Sequence, residues 1–248
     1  MASSSSGDIK IHNVFLSNVE EEFARIRGLV EDYPYVAMDT EFPGVVATPL
    51  GTFRSKEDFN YQQVFCNVNM LKLIQQEGIP THVFGELLTT SGLITDPRIT
   101  WLTFSSGYDF GYLLKSITLG DLPKEESTFF SCHKTLFPTS FDIKILLRTP
   151  NCASAKLKGG LQEVADQLDV KRQGMRHQAG SDALLTAATF FKIRKQFFGD
   201  SWNQIAPLIC GHMFGLGSSL SLFHGGNPAR IGEDPTQGMG GIQQQVNA

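Results

Sequence analysis

The chain is short of cysteine, of long apolar runs and of positive charge, and each shortage closes off a class of protein. Its four cysteines, Cys66, Cys132, Cys152 and Cys210, are far apart, which suits neither a zinc knuckle nor the disulfide framework of a small secreted domain. Free thiols in a reducing compartment are expected. The longest apolar stretches, such as that around Val36 to Met38, fall far short of the roughly 20 residues needed to cross a bilayer. The opening Met-Ala-Ser-Ser-Ser-Ser-Gly-Asp has no basic start and no apolar run, so it does not read as a secretory signal. A formal net charge of −4 over 248 residues argues against a surface that grips nucleic acid by broad phosphate neutralisation. A polyanion would have to be held locally. Carboxylates that gather divalent cations are one means, because the bound ions invert the local field.

What is present suits one globular core, with 41% hydrophobic and 19% charged residues. Residues 1–9 form a polar leader and 225–248 a Gly/Gln-rich tail, both expected to be disordered, with a single domain over 10–224 between them. Ser17 with Glu20 reads as a capping box ahead of Val19, Phe23, Ile26 and Val30 at helical spacing. Tyr33-Pro34 ends that helix, and 35–41 reads as a short buried strand closed by Pro43-Gly44. Further helices are predicted over 58–76, turning extended near 71–74, and over 81–92, 108–118, 123–136, 161–168, 182–198 with Ser181 as N-cap, and 202–210. Strands are predicted over 99–104 and 140–147. Strands alternating with helices imply a layered α/β domain with a parallel portion in its sheet.

Three places on this frame carry carboxylates suited to chemistry. Side chains at i and i+2 of a strand share a face, so Asp39 and Glu41 stand side by side while Thr40 points away. They follow the apolar Tyr-Val-Ala-Met, at the C-terminal end of a strand, where open α/β sheets place their ligands. Asp109 also follows a strand and begins a helix, where an acid alone more commonly complements the helix dipole. Asp182 begins a long helix, and His177 sits five residues earlier in a loop. A rigid acid and a loop-borne imidazole suit a metal ligand and a general base. Lys156, Lys158, Gly159 and Gly160, with Lys171, Arg172 and Arg176, form the one local concentration of positive charge. They are candidates to hold phosphate, as well as an ordinary solvated surface. Asp142, outside these clusters, reads as a structural, solvent-facing acid.

Taken together, Val-Ala-Met-Asp-Thr-Glu-Phe-Pro-Gly, Ser-Gly-Tyr-Asp-Phe-Gly-Tyr-Leu-Leu-Lys, Leu-Lys-Gly-Gly-Leu-Gln-Glu-Val-Ala and His-Gln-Ala-Gly-Ser-Asp resemble the Caf/Pop2-type deadenylases. The resemblance runs from about Ile11 to Gly217 and implies an RNase H-like three-layer exonuclease fold with a mixed sheet. It implies a 3′-to-5′ poly(A)-specific exoribonuclease that shortens mRNA tails within the Ccr-Not complex, releasing 5′-AMP. It also implies two divalent ions, Mg²⁺ or Mn²⁺, with Asp39 bridging them, Glu41 and Asp182 on one, Asp109 on the other, and His177 as base. The partners implied are poly(A) RNA, Not-type scaffold and Ccr-type nuclease subunits, and Tob/BTG-type proteins, in cytoplasm and nucleus. Two ions set roughly 3.5 to 4 Å apart stabilise both the attacking and the leaving oxygens of an in-line displacement, which accounts for the residue types.

The chain departs from the family in its middle. Members usually continue beyond the counterpart of Leu71 to Gln76 with a strand, a Gly/Pro turn, an aromatic-rich strand and a helix. Here Gln75-Gln76-Glu77-Gly78 joins directly to Ile79. The sheet is therefore expected to lack part of its antiparallel hairpin, leaving backbone groups unpaired and the domain destabilised. That absence motivates the alternative of a catalytically weak adapter within the same complex.

Overall fold

A computed structural model describes residues 11–70 and 78–217. The extended segment expected near 71–74, the leader 1–9 and the tail 225–248 lie outside the described residues.

The sheet is built of β1 (Tyr35–Ala37), β2 (Thr100–Thr103) and β3 (Thr139–Asp142), in that order and all parallel. The register aligns Val36 with Trp101 and Ser140, and Ala37 with Leu102 and Phe141. Because side chains alternate across a strand, these two rows face opposite sides. Trp101 joins a core with Val19, Phe23, Tyr61, Phe110, Phe129 and Phe137. Leu102 and Phe141 join the other, with Ile145, Val164, Phe190 and Trp202. Helices cover both faces: α1 (Val19–Val30), α2 (Lys56–Met70), α3 (Thr81–Thr89), α4 (Gly107–Thr118) and α5 (Glu126–Leu136) supply the first. The second comes from α6 (Ile143–Leu146), α7 (Pro150–Ala153), α8 (Leu161–Gln167), α9 (Ala179–Ile193) and α10 (Trp202–Ile209). This is the expected three-layer α/β arrangement. The mixed sheet is not seen: among the described residues every strand pair is parallel and β1 is an edge.

Several boundaries differ from the sequence reading for local reasons. Asn18, not Ser17, stands at the N-cap position of α1, so the Ser17/Glu20 box does not form; the Asn18 Oδ1 accepts from the preceding Phe15 N–H at 2.7 Å rather than from the helix. The strand expected over 140–147 ends at Asp142, whose carboxylate accepts from the Lys144 N–H at 2.9 Å and starts α6. Ser181 lies inside α9 rather than capping it, and donates to the Gln173 carbonyl at 2.7 Å. Helix α9 gives way at Arg194 to one π-helical turn, Arg194–Phe198. No helix among the described residues is long and apolar enough to cross a membrane.

Candidate active site

All three strands run the same way, so their C-terminal ends share one edge of the sheet. The chain leaves β1 earlier than the sequence suggested. Met38 N–H still donates to the Leu102 carbonyl at 3.0 Å, but the next inward-turned group, the Thr40 N–H, donates at 2.9 Å to Asp109 Oδ1. A carboxylate has taken the place of the ladder carbonyl, which ends the strand at Ala37 and corrects the expectation of a strand through Glu41. Thr40 Oγ1 donates to the same oxygen at 2.5 Å. Thr40, expected to point away, is thus the tie between the first acid segment and α4. Phe42 strengthens that tie by stacking on Tyr108, with ring centroids 4.9 Å apart.

Carboxylate oxygens of Asp39, Glu41 and Asp182 lie within 4.8 Å of one another. Asp182 comes from the first turns of α9, its Oδ2 accepting from the Gln178 N–H at 3.2 Å. Asp109, in the first turn of α4, is only 6% exposed and approaches from the Thr40 side. Burial pushes the Asp39 carboxyl up to about 7, and the negative charges of Asp109, Asp182 and Glu41 push the same way, against Arg172. Burial likewise raises Asp109 to about 6, in spite of the two Thr40 bonds that oppose it. Acids crowded in this way repel one another, and a bound cation would relieve that repulsion. All-oxygen donors fit a hard ion such as Mg²⁺ or Mn²⁺.

The structure assigns other parts differently from the sequence. Arg172, grouped by sequence with the phosphate-holding cations, is nearly buried. Its Nη2 meets Asp182 Oδ1 at 2.6 Å, its Nε donates to Gln162 Oε1 at 2.5 Å and its Nη1 to Ser181 Oγ at 3.1 Å. Asp142 is structural, as expected, yet it is 1% exposed rather than solvent-facing. It accepts from the N–H groups of Ser105, Ser106, Lys144 and Phe214 at 2.8, 3.1, 2.9 and 3.0 Å. His177 is exposed, with a left-handed backbone (φ 58°), and immediately precedes the residue whose N–H holds Asp182. Lys156, Lys158 and Arg176 are exposed and form no ion pair among the described residues. Gly159 and Gly160 shape the start of α8. Gly159 has φ +106° and a Cβ there would come within 2.9 Å of the Glu163 side chain, while the Gly160 N–H donates to Glu163 Oε2 at 2.8 Å. A separate cleft lined by Arg27, Glu31, Pro34, Asp96 and Arg98 opens at the opposite edge of the sheet, away from the acids.

Acids from three separated segments meet at the C-terminal edge of a parallel sheet between two helical layers, an arrangement of the kind that can hold divalent cations for phosphoryl transfer. No protein-family model matches the chain. It is 71% identical to CCR4-NOT transcription complex subunit 7 of Caenorhabditis elegans, covering 99% of this chain and 100% of the worm protein. It is 37% identical to poly(A) ribonuclease pop2 of Schizosaccharomyces pombe, over 86% of this chain and 76% of that one. The structure of S. pombe Pop2p with Mg²⁺ and Mn²⁺ bound superposes with a TM-score of 0.74, at 36% identity over 82% of this chain and 98% of that one. Yeast CAF1 co-crystallised with the NOT1 MIF4G domain has the same fold, with a TM-score of 0.65 at 22% identity over 81% of this chain and 95% of that one. The chain belongs to the Caf1/Pop2 family of CCR4-NOT deadenylases. Its match to the worm protein runs over 310 positions against 248 residues here, so at least 62 positions (310 less 248) have no counterpart in this chain.

Proposed function

We propose that the Asp39 cluster hydrolyses poly(A) from its 3′ end, releasing 5′-AMP. The observation that carries this is the convergence of Asp39, Glu41 and Asp182 oxygens within 4.8 Å, around a carboxyl pushed up to about 7. In this reading Asp39, Glu41 and Asp182, together with Asp109, would hold the divalent ions. Bound Mg²⁺ or Mn²⁺ would supply charge stabilisation for the attacking and leaving oxygens. His177, on its exposed loop, takes the proton from the attacking water. Arg172 keeps Asp182 oriented, and Thr40 keeps Asp109 oriented. Lys156, Lys158, Gly159, Gly160 and Arg176 line an outer path for the RNA strand, supported by their exposure and by the turn that the two glycines make.

The co-crystal of yeast CAF1 with the NOT1 MIF4G domain supports a Not-type scaffold as partner, with Ccr-type nuclease subunits in the same assembly. Tob/BTG-type proteins are further candidates, from the resemblance alone. We assign the chain to cytoplasm and nucleus, where poly(A) tails occur. The 62 or more absent positions favour a second reading, an adapter that binds the scaffold with little activity. Incubating purified protein with labelled oligo(A), oligo(U) and single-stranded DNA, in Mg²⁺, Mn²⁺ or EDTA, separates the two. Metal-dependent shortening of oligo(A) in preference to the others is expected. A folded protein that captures the scaffold domain and never shortens oligo(A) is the adapter.

A further inference from the structure

The sequence showed one concentration of positive charge, and the fold assembles another. Lys144 and Arg148 lie one turn apart on and just after α6. Lys144 Nζ sits 5.3 Å from the Phe104 ring centroid and 5.1 Å from that of Phe214, and the Arg148 guanidinium carbon 4.5 Å from Phe214. Neither cation forms an ion pair among the described residues. The carboxylate nearest in sequence, Asp142, is occupied by four backbone N–H groups. Lys144 feels the attraction of Asp142 and Glu163 as well as the repulsion of Arg148, and two like charges one turn apart disfavour each other modestly unless something anionic visits them.

The patch is built rather than incidental. The segments that carry Phe104, Lys144 and Phe214 are remote in sequence, and each is anchored to the same buried carboxylate, through Ser105 and Ser106, Lys144 itself, and Phe214. Ser105 takes a left-handed backbone (φ 64°) to make its bond, a strain that a structure keeps where the surroundings demand it. The ring faces are covered by the cations, so the aromatics hold charge in place rather than stack bases. The patch lies at the C-terminal edge of the sheet beside β3, two strands from the end of β1, hence roughly 10 Å from Asp39 by ordinary strand spacing. Asp109, on α4 just beyond Ser106, stands between them.

The structure assigns Lys144 and Arg148, held on Phe104 and Phe214, as a binding subsite for backbone phosphates of the single-stranded RNA whose 3′ end enters the carboxylate cluster. This rests on reading that cluster as an RNA-cleaving centre, and it adds a phosphate track on the β3 side that the basic loop at Lys156 and Lys158 does not supply. Phosphate contacts carry affinity without sequence information.

The test reads binding without cleavage, so it fails separately from the catalytic reading. Fluorescence anisotropy with 20-nucleotide oligo(A) and oligo(U), in EDTA, compares the unaltered chain with Lys144→Met, Arg148→Gln and Lys192→Gln. Lys192 is exposed near the far end of α9, roughly 15 Å along the helix from Asp182, and serves as the control. Each of the first two changes is expected to weaken binding by roughly three- to ten-fold. Each should also flatten the slope of log Kd against log salt by about 0.7, the release expected for one single-strand phosphate. The loss should be equal for both oligonucleotides, and Lys192→Gln should behave as the parent. Arg148→Gln alters an exposed side chain and keeps the test valid should Lys144→Met perturb α6. Unchanged Kd and salt slope in a folded Arg148→Gln protein, or a loss confined to oligo(A), would overturn the assignment.

Discussion

Arg172 Nη2 lies 2.6 Å from Asp182 Oδ1, with both side chains almost wholly shielded, at 12% and 13% exposed. Within the acid cluster this guanidinium is the one positive charge in contact with a candidate ligand, among the described residues. Replacing it leaves Asp182 facing Asp39 and Glu41 uncompensated.

Arg172→Met is therefore expected to lower stability by about 1 to 3 kcal/mol in EDTA, the usual range for breaking a shielded charged hydrogen bond. Saturating Mn²⁺ should recover much of it, because a divalent ion replaces the missing charge. Thermal unfolding with and without the metal checks this. An identical loss in both conditions would make Arg172 a packing residue only.

The Asp39 carboxyl, held up at about 7 by burial and neighbouring acids, gives the metal-free protein a pH dependence of defined sign. A group whose folded pKa is raised binds more protons folded than unfolded between its ordinary value and the raised one. The stability it contributes is fully present below about 4 and is lost as pH rises through about 7. Melting in EDTA should occur at a higher temperature at pH 5.5 than at pH 7.5, about those two set points being chosen to bracket the titration. Asp39→Asn should flatten the difference, and Mn²⁺ should offset it. A melting temperature that rises over this interval in EDTA contradicts the electrostatic account of the cluster.

Asp142 was legible in the sequence as an acid outside the motifs, and its burial was not. Its four backbone donors come from three segments up to 72 residues away. Asp142→Ala leaves them unpaired in the interior and is expected to cost about 2 to 4 kcal/mol. Activity and melting temperature should fall together, whereas Asp39→Asn should lose activity at an unchanged or higher melting temperature. Asp142→Ala with parental stability would remove its place as the anchor.

The pattern of what the sequence showed follows from the range of the interactions. Local signals worked in part: the helical spacing of Val19, Phe23 and Ile26 and the alternation that implied a layered α/β domain with a parallel sheet appear in the structure, while the apolar run before Asp39 forms a strand that is a half-exposed edge rather than the buried strand expected. Contacts between distant segments were invisible. Nothing in the order of residues shows that Thr40 bonds Asp109, 69 positions on, or that Phe214 returns to Lys144. Strand ends at Ala37 and Asp142 were missed for the same reason, since each is set by a carboxylate bond rather than by a change in hydrophobicity.

Strand β1 is an edge among the described residues, and its exposed end carries Tyr35 at 41% exposed. An open edge next to apolar surface favours self-association. Inserting the family's two-strand segment between Gln76 and Glu77 is expected to sharpen the unfolding transition and shift light-scattering profiles toward monomer. A monomeric, cooperatively melting 248-residue protein that gains nothing from the insertion would show that the three-stranded sheet suffices.

The most direct measurement follows AMP released from oligo(A) by purified chain in Mn²⁺, for the parent, Asp39→Asn and His177→Ala. The parent should release 5′-AMP stepwise from the 3′ end, and EDTA should stop it. Asp39→Asn should release none while remaining folded. His177→Ala should slow turnover by roughly 10² to 10⁴, the contribution of a positioned base, while still binding Mn²⁺. Stepwise AMP release by folded Asp39→Asn at the parental rate would contradict the assignment of this carboxylate cluster as the active site.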